Sequence, residues 1–197
     1  MKLYKIYSRA IGLLFALSLL CVGCENEDIL DINDLEISPS NPESVIIVEP
    51  DDGITSVNAL TRAINENGDA TYILRRDGVY YMEGKNVFKH NVVIKAENGS
   101  GKMPIIQPIC DAQGALNADM IRLEGSATFE NIYIIGKDAA TGNLMQRLFR
   151  IDESNVRLKF DHCFIDHCRN FCIRTDNVNN KIYLNNSTIR NLALVKA

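Results

Sequence analysis

The sequence predicts an all-β fold, a single-stranded parallel β-helix with one short capping helix at its N-terminal end, and three observations carry that prediction. First, four segments repeat: "VFKHNVVIKAEN" at 87–98, "ATFENIYIIGKD" at 127–138, "LKFDHCFIDHCR" at 158–169 and "IYLNNSTIRNLA" at 182–193. Their eighth position is isoleucine throughout (Ile94, Ile134, Ile165, Ile189), their first is apolar (Val87, Ala127, Leu158, Ile182), and their fifth is Asn91, Asn131, His162 and Asn186. Repetition at this scale marks a solenoid. Second, the apolar period inside each unit is two, so the stacked element is a strand. Third, from Thr71 onward no helical period appears, and short β-rich runs are punctuated by Asn, Asp and Gly.

At the start of the chain, Lys2, Lys5 and Arg9 lead into an apolar run over 10–22, too short to span a bilayer and patterned like a secretory signal. Cys21-Val22-Gly23-Cys24 resembles the lipobox of bacterial lipoproteins, although Cys21 stands where that family prefers Leu. The resemblance implies a signal peptide at 1–23 and lipidation of Cys24. Glu25-Asn26-Glu27-Asp28 is similar to the surface-export signal of Bacteroidota lipoproteins, which implies a lipid anchor in the outer membrane, facing the cell exterior. Residues 24–45 mix acids with Ser, Pro and Asn and read as a tether. The folded domain is then 46–197.

Removing 1–23 takes three of 21 basic residues and none of the 25 acidic ones, leaving a net charge of −7. Nucleic acid is thereby excluded as an expected partner, since its affinity rests on neutralised phosphates. Membrane attachment is expected through the lipid alone.

Within the domain, "VIIVEP" is a strand and "TSVNALTRAINENGD" carries the helix. Thr55 or Ser56 is its expected cap, Val57, Leu60, Ala63 and Ile64 its apolar face, and Gly68 its stop. In each repeat the fifth position falls between two strands, where Asn tolerates a left-handed backbone. Asn91, Asn131 and Asn186, with His162 substituting in one rung, are expected to form a turn ladder whose side chains bond from rung to rung. Positions six and eight then point inward.

The stretch "LKFDHCFIDHCRNFC" at 158–172 crowds together residues that bind metals. Alternation disperses them: Phe160, Cys163 and Ile165 face the core, His162 sits in a turn, and Phe164 and Asp166 face solvent, so no metal site is assigned. His167, Cys168 and Cys172 are not dispersed by this rule. A local Cys168–Cys172 bridge is left open, and four cysteines beyond Cys24 are too few for a disulfide scaffold.

"GDATYILRRDGVYYMEGKNVFKHNVVIKAENGSGKMPIIQP", following the helix, resembles the start of pectate-lyase-like right-handed β-helices, whose N-terminal helix caps the stack. Gly68-Asp69, Asp77-Gly78-Val79-Tyr80 and the run 149–192 are similar to an uncharacterised domain family of Bacteroidota surface lipoproteins. The likeness covers 46–197 and implies a right-handed coil that usually continues into further rungs and another domain. A C-terminal truncation is therefore expected, since "IRNLALVKA" ends right after a rung.

Function is expected on outward-facing residues. "MIRLE" at 120, "LFRID" at 148 and "FCIRT" at 171 place Ile121/Leu123, Phe149/Ile151 and Phe171/Ile173 inside, with Arg122 and Glu124, Arg150 and Asp152, and Cys172 and Arg174 outside as a charged stripe. A second outward column holds Val93, Tyr133, Phe164 and Thr188, whose aromatics suit sugar rings or a covering partner. The lyase resemblance implies a surface that binds a uronate chain, with a basic side chain removing a proton and calcium neutralising the carboxylate. No lyase signature is present, and no catalytic residue or cofactor is assigned. The reading is polysaccharide binding without cleavage, through Arg122, Arg150, Arg174, Tyr133 and Phe164. The alternatives are a lyase acting on a uronate-containing glycan, with Arg150 or Arg174 near the chemistry, and a structural module whose aromatics are covered by a further domain.

Overall fold

The computed structural model describes residues 44–192. The signal segment 1–23, Cys24 and nearly all of the tether lie outside the described residues. β1 (Val45–Val48) and α1 (Ala59–Asn67) precede four full rungs of three strands each. These are β2 (Ala70–Leu74), β3 (Val79–Glu83) and β4 (Val87–Phe88), then β5 (Val92–Ala96), β6 (Ile105–Ile109) and β7 (Asp119–Leu123). The next two are β8 (Ala127–Glu130), β9 (Tyr133–Ile135) and β10 (Arg147–Ile151), then β11 (Arg157–Asp161), β12 (Phe164–Cys168) and β13 (Phe171–Thr175). β14 (Lys181–Asn185) and β15 (Thr188–Leu192) begin a further rung.

All the strand pairs are parallel and form three sheets: β1-β2-β5-β8-β11-β14, β3-β6-β9-β12-β15 and β4-β7-β10-β13. Each strand lies over its counterpart one rung on, which is the parallel β-helix that the repeats predict.

Register explains the core. In the first sheet Tyr72, Ile94, Phe129, Phe160 and Leu184 stack in one column; in the second, Tyr80, Ile106, Ile134, Ile165 and Ile189 do. Phe129, Phe149 and Phe160 meet across the interior with ring centroids 5.2–5.5 Å apart. At the N-terminal end α1 packs against β1–β4 and buries Leu60, Thr61 and Ile64. At the opposite end, Ile182, Leu184 and Leu192 continue the inward columns yet are 42–51% exposed.

The first repeat unit needs correction. Ala127 pairs with Val92, five residues past the expected Val87, and Ile94 belongs with Phe129 rather than with the isoleucines. Val87 and Phe88 instead pair with Arg122 and Leu123 in the third sheet. The cause is unequal loop length: β8, β11 and β14 turn into the second sheet over two residues, whereas β5 reaches β6 through 97–104. A gapless alignment therefore slips in that unit.

Asn91 leaves the expected turn ladder for the same reason. Asn131, His162 and Asn186 take φ of 57°, 52° and 48° at the corner between the first two sheets, and Asn91 does not share that conformation. The rung-to-rung bonds at this corner run along the backbone, from Asn131 N–H to the Asp161 carbonyl and from His162 N–H to that of Asn185, both at 3.0 Å. A side-chain ladder exists one corner away, at the entry to the first sheet. There Asp69 accepts the Asn91 N–H at 3.2 Å, Asn91 the Ser126 N–H at 2.9 Å, and Ser126 the Arg157 N–H at 3.0 Å.

The helix start also differs. Asp52 gathers the N–H groups of Ile54, Thr55 and Ser56 at 2.7–2.8 Å, which folds Thr55 and Ser56 into a turn ahead of the helix. Asn58, at φ 61°, leads into α1, and Asp51 rather than a hydroxyl accepts the first helical N–H, at 3.1 Å.

Candidate functional site

Parallel register places Arg122, Arg150 and Arg174 side by side on β7, β10 and β13. Like charges one rung apart would repel, and aspartates separate them. Asp152 lies 2.6 Å from Arg122 and 2.7 Å from Arg150, Asp176 lies 3.0 Å from Arg174 and 3.9 Å from Arg150, and Asp119 pairs with Arg147. Burial pushes the Asp152 carboxyl up, but the Arg122 and Arg150 guanidinium groups outweigh it and hold the carboxyl below its ordinary range. Asp152 in turn raises Arg122 above its already high value. The stripe is therefore a ladder of ion pairs in which each arginine is matched to an aspartate, each exposed pair contributing roughly 0–1 kcal/mol.

Phe171 and Cys172 are reversed from expectation. Phe171 pairs with Arg147 and is 54% exposed, while Cys172 is half-buried against the core. The departure is confined to the corner before β13, where the N–H groups of both Asn170 and Phe171 donate to the Gln146 carbonyl at 3.1 Å; Ile173 and Arg174 keep their expected sides beside Phe149 and Arg150.

On the second sheet Tyr133, Phe164 and Thr188 form one outward column, whereas Val93, expected with them, lies in the first sheet between Thr71 and Thr128. The Tyr133 and Phe164 rings meet edge to face at 6.3 Å, Phe164 is 40% exposed, and the Arg190 guanidinium lies 5.9 Å from the Phe164 centroid. Beneath them is Asp166, expected at the surface but only 1% exposed. It accepts hydrogen bonds from the Tyr133 hydroxyl at 2.8 Å, Arg190 Nε at 2.9 Å and Asn191 Nδ2 at 2.7 Å, with His167 Nδ1 2.8 Å away. Burial raises the Asp166 carboxyl, and these donors more than reverse the effect and hold it low. The Tyr133 phenol is raised, first by burial and then by its bond to Asp166.

Asp166, Arg190 and Asn191 are the residues the sequence reading missed. Their signal was the ninth position of the repeat, where Asp166 is followed one unit later by the opposite charge of Arg190.

The crowded cysteine and histidine stretch is scattered. His162 lies exposed in its corner beside Asp161 at 2.8 Å, and His167 points outward to Asp166. Cys163 is inside, its thiol facing the Phe129 carbonyl at 3.3 Å and pushed up to about 11 by burial. Cys168 is inside as well, near the Phe171 carbonyl at 2.7 Å. Cys110, Cys163, Cys168 and Cys172 are all free thiols, and burial pushes Cys172 up to about 12. The Cys168–Cys172 bridge is absent.

No protein-family model and no curated protein matches the chain. Among solved structures it is similar to a mutant of the PL6 family alginate lyase AlyGC, at 20% sequence identity and a TM-score of 0.54, over 74% of this chain. The chain spans only 20% of that structure's length. At this identity the likeness establishes the β-helix fold and leaves the activity to the residues themselves.

Proposed function

We propose that this domain binds polysaccharide on the outer face of its second sheet without cleaving it. The observation that carries the reading is the Tyr133–Phe164 pair, two aromatic rings fixed edge to face on a rigid sheet and flanked by the polar groups of Arg190, Asn191 and His167. Asp166 fixes the tyrosine hydroxyl and Arg190 together, so the platform is formed before a ligand arrives and little ordering opposes binding. Support for a glycan over another ligand comes from the fold likeness to a carbohydrate-active protein. Binding without cleavage is favoured because Arg150 and Arg174, the residues a lyase reading sets near the chemistry, are each occupied by an aspartate, Asp152 at 2.7 Å and Asp176 at 3.0 Å.

The purified chain is expected to be retarded in gels containing polysaccharide, with Tyr133→Ala and Phe164→Ala each losing retention and no ultraviolet absorbance of unsaturated ends appearing. Absorbance that grows with time, and is lost in Arg150→Ala, would establish the lyase reading instead. Absence of both would favour a structural module. The proposal also places the domain on the outer membrane surface, carried by lipid on Cys24, as the 10–28 segment supports. Mass spectrometry of the membrane-extracted chain tests this, and an unmodified Cys24 would rule it out.

A further inference from the structure

Beyond the short turn over 84–86, the second and third sheets are joined by three connections, over 110–118, 136–146 and 169–170. Gly136 permits the middle one to run close, since a Cβ there would sit 2.1 Å from the His167 carbonyl oxygen. The two longer loops stand apart and enclose a cleft of about 510 Å³, lined by Ala115, Asn117, Gly142, Asn143, Gln146 and Arg169 among others. That is room for one or two sugar rings, within the usual range of small-molecule sites.

Both loops are held in place. Asp111 accepts the N–H groups of Gln113 and Ala115 at 3.0 and 2.8 Å, and Asp138 accepts the Thr141 hydroxyl at 2.6 Å. Cys110 Sγ links one loop to the other through Thr141 Oγ1 at 3.5 Å, and Asn117 donates to the Gly84 carbonyl at 2.9 Å. The cleft walls are therefore tied to the scaffold and to each other.

What distinguishes the cleft is Arg169. Every other arginine among the described residues has a hydrogen bond or an ion pair: Arg62 with a backbone carbonyl, Arg76 with two, Arg75, Arg122, Arg147, Arg150, Arg174 and Arg190 with carboxylates, and Arg157 also engaged. Among the described residues the Arg169 guanidinium has neither, and it is the only charged one of them lining the cleft. Gln146 presents a carboxamide that is likewise without a partner among the described residues. An arginine fork with no carboxylate of its own, beside a free amide donor, matches two-point recognition of a planar or tetrahedral oxyanion.

We propose that this cleft binds the anionic group of an acidic sugar unit, with Arg169 taking the charge and Gln146 a second oxygen. The sugar half of the inference rests on the glycan reading above, and the oxyanion half rests on the cleft. A uronic carboxylate and a sulfate ester share the required chemistry.

The test is calorimetric titration of the purified chain with digalacturonate, sulfated galactobiose and neutral galactobiose. The wild type is expected to bind at least one acidic disaccharide about tenfold or more tighter than the neutral one. Arg169→Gln is expected to erase that preference, and Gln146→Glu, which sets a carboxylate beside the guanidinium, to abolish acidic binding. Neither side chain makes a hydrogen bond or ion pair among the described residues, so circular dichroism should be unchanged in both. Which acidic ligand prefers the wild type identifies the oxyanion. An acidic preference that survives Arg169→Gln, or no preference in the wild type, overturns the inference. The glycan reading is tested apart from it, because polysaccharide retention that depends on Phe164 stands or falls whatever Arg169 does.

Discussion

Asp166 is the residue on which the second sheet's outer face depends, because a carboxylate 1% exposed persists only if its oxygens are occupied by donors. Tyr133, Arg190 and Asn191 supply them, with His167 alongside. Its folded-state affinity for protons is depressed, so the stability it contributes is fully present above its unfolded value of about 4 and is lost as pH falls toward the lower folded value. Asp166→Asn is thus expected to destabilise the domain at neutral pH by roughly 1–3 kcal/mol and to flatten the acid limb of stability below about pH 4. Urea unfolding from pH 2 to 7 measures both, and parallel acid limbs in variant and wild type would refute the assignment. In the sequence, Tyr133 and Phe164 were legible as outward residues from alternation alone. Asp166 was not, because alternation tells which way a side chain points and is silent on whether neighbours one rung away, such as Arg190, close over it.

At the scale of elements, β7, β10 and β13 show how a parallel sheet tolerates a column of arginines. In-register stacking sets Arg122, Arg150 and Arg174 about 5 Å apart, a separation at which unscreened like charges repel. Asp152 bridges two of the three arginines, Arg122 and Arg150, at once. Asp152→Asn should therefore lower stability by about 1 kcal/mol at low ionic strength, and about 1 M salt should recover most of the loss, since screening replaces the missing charge. Thermal melts at two salt concentrations decide this, and a deficit that does not respond to salt would mean that the aspartate acts through packing. The stripe was readable in advance because "MIRLE", "LFRID" and "FCIRT" lie in clear alternation. The first repeat unit was not readable, since the long loop over 97–104 breaks the spacing that made the later units line up. The reversal of Phe171 and Cys172 was hidden too, because it is confined to a corner where two N–H groups share one carbonyl.

Over the whole molecule, stability in a solenoid is close to a sum of rung contributions and nearest-neighbour interfaces. α1 covers one end of the core, and the central rungs hold Phe129, Phe149 and Phe160 fully buried. The last described rung carries the same kind of inward side chains in a different setting, with Ile182 and Leu184 42% and 47% exposed. Burial, rather than residue type, then sets the cost of truncation. Phe160→Ala removes a side chain stacked 5.5 Å from Phe129 and is expected to cost about 3–5 kcal/mol, whereas Leu184→Ala, one rung later in the same column, is expected to cost well under half as much. Native-state hydrogen exchange should show the same gradient without mutation. Amides of β5, β8 and β11 are expected to exchange only through global opening, and those of β14 and β15 through local fraying at lower free energy. A Leu184→Ala penalty equal to that of Phe160→Ala, with β14 as protected as β8, would show that the domain unfolds as one cooperative block, with the last rung held by interactions beyond those its burial reveals.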